Sequence, residues 1–279
     1  MGKVKTAASG PFITKAGLPP GAVACYHGRM TEFLDLTPAR RLAYCKTDGH
    51  APTVVFLGGF RSDMTGTKSM ALDAWTTARG QAFLRFDYSG HGQSSGAFLD
   101  GSIGDWCADA AAVIAAQTKG PLVLVGSSMG GWIALLLARR MPGRVAGLVG
   151  IAAAPDFTDW IWDALTPAQQ RILQEDGQIA DPSAYSDQPD IYTLRLIEDG
   201  RRQRIFDQPL MLPFPARFLQ GTDDADVPPE VALRLLDHAT GPDVRLTMVK
   251  GADHRFSSPA CLRLIEATVS EICAASSAI

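Results

Sequence analysis

No stretch of this chain is apolar over the roughly 20 residues that a membrane-spanning helix needs; the run 132–138 is far too short. Two lysines near the amino terminus have no apolar run behind them, so no secretory signal is expected. Cysteine is scarce and scattered, at 25, 45, 107, 261 and 273, an odd count with no C-x-x-C pair. A disulfide framework and a zinc site are therefore not expected. All five cysteines read as small buried or half-buried apolar residues, and a reducing, cytoplasmic compartment fits best. The mitochondrial matrix is the alternative for a eukaryotic source. Basic charge is not in excess either: 26 Lys and Arg against 29 Asp and Glu leave a net charge of −3. This argues against nucleic acid, which needs a concentrated basic face, as the main partner. The densest basic run, Arg201, Arg202 and Arg204, reads as a solvated face. Internal repeats and low-complexity tracts are missing.

What is present is regular. The 279 residues suffice for one α/β domain with a sizeable core. The first thirty or so residues, rich in Gly, Pro and Ala, read as a loose lead-in. Segments 32–36 and 41–45 can pair as a hairpin. Apolar β-rich runs follow at 53–57, 82–86, 122–125, 145–151, 216–219 and 244–249. Such runs fit strands buried on both faces of a parallel sheet. Helical stretches alternate with them at 68–79, 103–117, 132–140, 229–239 and 259–273, with Pro229 and Pro259 placed for first turns. Alternation of this kind gives an α/β fold with a mostly parallel, doubly wound sheet, whose ligands sit at the carboxyl ends of the strands. One segment breaks the rhythm. From 155 to 213 no strong strand is expected; helices are placed near 167–176 and 192–206, with Trp160 and Trp162 ahead of them. The segment reads as a small helical cap inserted into a single domain spanning 1–279.

Gly126-Ser-Ser128-Met-Gly130 fits G-x-S-x-G. The pattern alone is common. Here an apolar strand runs into it and an apolar helix leaves it, so the chain must reverse sharply at the central residue. Ser128 then presents its hydroxyl at a helix N-terminus, where developing negative charge is favoured. An accidental turn of small residues is the bland alternative. Acyl transfer also needs backbone N–H donors for the oxyanion. Met129 supplies one, and the loop Gly58-Gly59-Phe60-Arg61 supplies the other, assigned to Phe60. Strand-to-helix elbows of this type order their partners as Ser, then acid, then His, which leaves His238 and His254 as bases. His238 falls in the last turn of a helix, where it needs no further role. His254 follows the last strand and is delivered to the catalytic edge. Of Asp223, Asp224 and Asp226, only Asp224 meets the spacing G-x-x-D-x-x-V-P; the other two suit a turn. Asp224 would hold the His254 tautomer and stabilise its imidazolium. The chemistry requires no metal and no organic cofactor.

These features identify the α/β-hydrolase fold. More narrowly, Phe86-Asp-Tyr-Ser-Gly90, Gly126-Ser-Ser-Met-Gly-Gly-Trp132, Asp224-Ala-Asp-Val-Pro228 and Asp253-His254 resemble the α/β-hydrolase-domain thioesterases of mitochondria. The resemblance runs from about residue 53 onward. It implies cleavage of carboxylic esters or thioesters through an acyl-serine, with palmitoylated protein cysteines or acyl glucuronides as candidate substrates. Arg61 and His91 depart from that family, and the charge of Arg61 would favour an anionic substrate. Trp160 and Trp162 would line an acyl pocket or pack the cap. The expected partner is a small-molecule or acyl-chain substrate, including an acylated protein, without stable membrane association. A peptidase, a carbon–carbon hydrolase or an acyltransferase would use the same groups, and a non-catalytic binding module is the remaining alternative.

Overall fold

The computed structural model describes residues 30–181 and 189–276; the expected lead-in and Cys25 lie outside them. A hairpin of β1 (Glu32–Thr37) and β2 (Arg40–Thr47) opens the chain. β3 (His50–Leu57), α1 (Thr67–Ala78), β4 (Gln81–Phe86), α2 (Ile103–Gln117), β5 (Leu122–Ser127), α3 (Met129–Arg140) and β6 (Val145–Ile151) follow. An inserted segment holds α4 (Phe157–Ala164), α5 (Pro167–Asp176), β7 (Gln178–Asp181), β8 (Asp190–Thr193), α6 (Leu194–Arg202) and the two-residue β9 (Leu210–Met211). The chain returns through β10 (Ala216–Gly221), α7 (Pro229–His238), the two-residue β11 (Ala239–Thr240), β12 (Val244–Val249) and α8 (Pro259–Ser276).

Eight strands form one sheet in the order β1-β2-β4-β3-β5-β6-β10-β12. β2 runs antiparallel to both its neighbours, and every pairing from β4 to β12 is parallel. The period-two alternation of each central strand sorts its side chains between two cores. Val55, Leu57, Leu122 and Leu124 face α2 and α3, packing with Trp106, Ile133 and Leu137. Val54, Phe56, Val123 and Val125 face α1 and α8, packing with Leu72, Trp75, Ile265 and Val269. With both faces covered, continuous apolar runs are what the strands require.

Two expectations need correction. The inserted segment is not purely helical: β7 and β8 form an antiparallel hairpin, Gln178 opposite Thr193 and Asp181 opposite Asp190. At four residues each, with an aspartate at the outer end of both, they are too short to show the alternation by which a strand is read. The expected helix at 192–206 shortens to α6, because Tyr192 and Thr193 belong to β8 and Thr193 caps the helix through Leu196 N. Helix α5 begins where expected, with Thr166 and Gln169 forming a capping box around Pro167. The second correction is Cys45 on β2, which is disulfide-bonded. A disulfide needs proximity in space, which local spacing does not reveal. Cys107, Cys261 and Cys273 are free and buried. Burial pushes the Cys107 and Cys273 thiols up to about 11, which keeps them poor nucleophiles.

The inserted segment is tied to the sheet at its root. Asp156 is left-handed (φ 59°), and its carboxylate accepts from Ile205 N (2.8 Å) and Phe206 N (3.1 Å), closing the segment's two ends. Trp132, fully buried on α3, donates its indole N–H to Gln203 O at 3.1 Å and meets the Phe157 ring edge-on. No helix of the described residues is long and apolar enough to cross a membrane.

Candidate active site

The turn between β5 and α3 places Ser128 at φ 54°, ψ −119°. A non-glycine residue there is strained by roughly 1–3 kcal/mol and persists only where its surroundings hold it. Three backbone bonds do so: Ser128 N donates to Ile151 O (2.9 Å), while Ser128 O accepts from Gly131 N (2.8 Å) and Ala154 N (3.1 Å). The flanking glycines are steric necessities. A Cβ on Gly126 would lie 2.2 Å from Gly130 O, and one on Gly130 would lie 2.0 Å from Leu57 O.

The loops after β10 and β12 bring the other two groups to the same edge. His254 Nε2 lies 3.1 Å from Ser128 Oγ, and its Nδ1 lies 3.0 Å from Asp224 Oδ2. Asp224 can only accept at Nδ1, so Nδ1 carries the proton and the Nε2 lone pair faces the serine hydroxyl. The Asp224 carboxylate is fully buried. It accepts from the backbone N–H groups of Asp226 (3.0 Å) and Val227 (2.8 Å) and from Gln220 Nε2 (2.8 Å). Burial alone would raise its pKa, but the His254 bond, the Val227 N–H and Gln220 outweigh it and hold the carboxyl below its usual range. Gln220 is a supporting residue with no sequence signal. His238 is elsewhere, its Nε2 against the carbonyls of Ile205 and Gln208. His91 is buried among the rings of Tyr88, Phe98 and Trp106.

The loop after β3 passes close to Ser128: a Cβ on Gly59 would lie 3.5 Å from Ser128 Cβ. The Phe60 ring fixes it, meeting Phe98, Trp106 and Phe157 edge-on and stacking on Tyr192 of β8. Met129 is the first residue of α3, where a backbone N–H has no intrahelical acceptor. Farther along, Arg85 of β4 and Asp87, just past its end, grip Met64 from two sides. Asp87 accepts from Met64 N (2.6 Å) and Arg85 donates to Met64 O (2.6 Å). Asp87 also takes Gln93 N at 2.8 Å. Burial pushes the Asp87 carboxyl up to about 6, against the lowering effect of those N–H bonds. A raised carboxyl contributes stability that is full below its unfolded value, near 4, and is lost as pH rises through about 6. The unfolding free energy of the wild type, relative to Asp87→Asn, should therefore fall by about 2 kcal/mol between roughly pH 4 and 7.5. Urea titrations at the two pH values measure this; an unchanged difference would count against it.

A cavity of about 1160 Å³ opens over Ser128 and His254. Phe157, Trp160, Ile161, Leu165 and Tyr192 from the inserted segment supply its apolar wall. Trp162 does not line the cavity: it packs beside Leu173, Ile179 and Ile197, with Arg201 over its ring. Arg61 lines the cavity, but its charge is met by Asp190 at 2.6 Å, a partner 129 residues away. Lys68 and Arg255 are polar wall residues with no role assigned from the sequence, and Asp226, passed over as the acid, lines the cavity with them. Asp226 Oδ2 lies 4.0 Å from His254 Nε2. Asp224, Asp226 and His254 are close enough to share a metal ion, but an ion would compete with the proton joining Asp224 to His254.

A family model described as serine aminopeptidase, S33, matches residues 49–183. The mitochondrial palmitoyl-protein thioesterase ABHD10 of Rattus norvegicus is 32% identical over 268 residues, covering 94% of this chain and 90% of that protein. The chain belongs to the α/β-hydrolase family. Among solved structures of this family, a putative hydrolase from Agrobacterium vitis S4 superposes with a TM-score of 0.83 at 40% identity, over 87% of this chain and 98% of that one. Alpha/beta hydrolase domain-containing protein 10 from mouse gives 0.81 at 31% identity, over 87% and 97%. The family assignment and the eight-stranded sheet agree on a hydrolase.

Proposed function

We propose that the protein hydrolyses carboxylic esters or thioesters through an acyl-Ser128 intermediate. The observation that carries this reading is the hydrogen-bonded line from Ser128 Oγ through both nitrogens of His254 to Asp224. In the first half-reaction Ser128 Oγ attacks the acyl carbon as its proton passes to His254 Nε2. The tetrahedral oxyanion is met by the N–H groups of Met129 and Phe60, each worth roughly 3 kcal/mol where such donors have been removed. Collapse breaks the bond to the leaving oxygen or sulfur, which takes the proton from Nε2. In the second half-reaction water repeats the sequence and frees the acid. Asp224 keeps Nδ1 protonated and stabilises the imidazolium at both peaks. Replacing it with asparagine should lower kcat by about 10⁴-fold, with much less effect on KM, because an amide holds the wrong tautomer. A loss under about tenfold, measured with a p-nitrophenyl ester, would remove Asp224 from this role.

We read 155–213 as a cap within a single domain, its apolar wall housing the acyl group. The cavity exceeds the roughly 300–1,000 Å³ of sites for drug-sized ligands, which suits a long chain. The thioesterase relatives favour an acyl thioester, including one on a protein cysteine. A matrix setting like theirs is the alternative to the cytoplasm. Because the Arg61 charge is already paired with Asp190, an anionic leaving group such as a glucuronide is the weaker candidate. A peptidase is the second reading, favoured by the description of the matching family model. A series of thioesters, oxyesters and aminoacyl amides of increasing chain length separates these. The proposal expects kcat/KM to rise with acyl length and thioesters to be cleaved; turnover of amides alone would transfer it to the second reading.

A further inference from the structure

A second, smaller cleft of about 270 Å³ lies where α3 and α6 end. Arg139, Arg140, Arg202 and Arg204 line it with Gln203 and Gln208, and no carboxylate does. Its place is far from the proposed chemistry: α3 starts beside Ser128, and its twelve residues rise by about 18 Å. On a chain of net charge −3, such a concentration of guanidinium groups calls for a cause.

Part of the charge is used locally. Arg204 pairs with Asp159 and Asp207, and Arg202 with Asp199. Arg201 lies over Trp162. Arg139 and Arg140 are different, because neither is within 4 Å of a carboxylate among the described residues. Arg139 donates to Arg204 O and Gln208 Oε1. Arg140 donates to Gln203 Oε1 at 2.8 Å and reaches the Cys107 thiol. Guanidinium carries five N–H donors, so both keep donors in reserve. Helix dipoles account for some of the rest. The ends of α3 and α6 together carry about one negative charge. Of the four arginines that line the cleft, Arg202 and Arg204 are met by carboxylates, whereas Arg139 and Arg140 are met by neutral acceptors and the helix ends alone.

We propose that this cleft binds a phosphate-class dianion between the body of the protein and its inserted segment. Planar guanidinium forks match phosphate oxygens two at a time, and Arg139 and Arg140, which no carboxylate meets among the described residues, both line a space sized for a phosphoryl or pyrophosphoryl group. The glutamine side chains add neutral donors. An occupant would hold α3, which carries Ser128 at its other end, to the residues that follow α6.

The test is calorimetric titration of the full chain with inorganic pyrophosphate, ionic strength being matched with chloride. One saturable site is expected. Arg139→Gln/Arg140→Gln should weaken it by about tenfold or more, since each lost charge-assisted bond is worth roughly that factor. Arg140→Gln alone, at an exposed position, should weaken it about threefold or more without disturbing the fold, as turnover of an activated ester would verify. Sedimentation with vesicles of phosphatidic acid, against phosphatidylcholine, separates the two sources of phosphate. Vesicle binding lost in the variants would assign the site to a lipid headgroup, and pyrophosphate binding without sedimentation to a soluble ligand. Absence of saturable binding in both arms, or equal affinity in wild type and variants, overturns the proposal.

Discussion

Ser128→Ala should lower turnover of an activated ester by about 10⁵-fold or more and abolish the burst of leaving group that accompanies acylation. The reasoning is positional as well as chemical. Ser128 Oγ is the hydroxyl within 3.1 Å of His254 Nε2, and the neighbouring Ser127 belongs to β5. Without the hydroxyl, the oxyanion donors and the cavity remain, and they should sustain only a slow attack by water. Loss of the burst with the melting temperature unchanged would separate chemistry from folding. A variant that kept its burst would refute an acyl-serine at this position.

Gly130→Ala should be among the most destabilising single methyl additions in the protein, costing about 3 kcal/mol or more. The new Cβ would lie 2.0 Å from Leu57 O and 2.6 Å from Gly58 O. Both are backbone atoms at the carboxyl end of a central strand, so no rotamer change can relieve the clash. Overpacking of this kind typically costs about 1–3 kcal/mol even where side chains can yield. Gly143→Ala is the comparison: nothing lies within 4 Å of its Cβ, and it should be neutral or slightly stabilising. Urea unfolding of both variants reads the difference; a loss below about 1 kcal/mol at Gly130 would show that the elbow packs less tightly than its geometry implies.

The sheet and the elbow were legible because their requirements are local. A strand buried on both faces must be apolar along its length, and a strained serine must sit between glycines. By propensity β5 ends at 125 and α3 starts at 132, short of the observed Ser127 and Met129, because Gly126, Gly130 and Gly131 disfavour regular structure. Close packing overrides that preference here. His254 and Asp224 could be placed because chain order and spacing constrain them. What was not legible depends on partners distant in sequence. Nothing near Arg61 announces Asp190, nothing near Trp162 places it among Leu173 and Ile197, and nothing near Cys45 marks it as half of a disulfide. The β7–β8 hairpin was hard to read for a related reason: its strands are four residues long, and Ile179 and Tyr192 pack on residues distant in the chain.

Phe60 and Arg61 are adjacent in the chain, and both reach the same strand. The Phe60 ring stacks on Tyr192, and the Arg61 guanidinium meets Asp190. On the proposed reading, the backbone that meets the oxyanion and the wall of the cavity are therefore joined through these two side chains. Moving that wall to admit a long substrate would disturb the loop that must be still when the oxyanion forms. Admission and rate enhancement then trade against each other through two side chains. Damage at position 190, remote from the reacting bond, would show itself in kcat before it showed in KM.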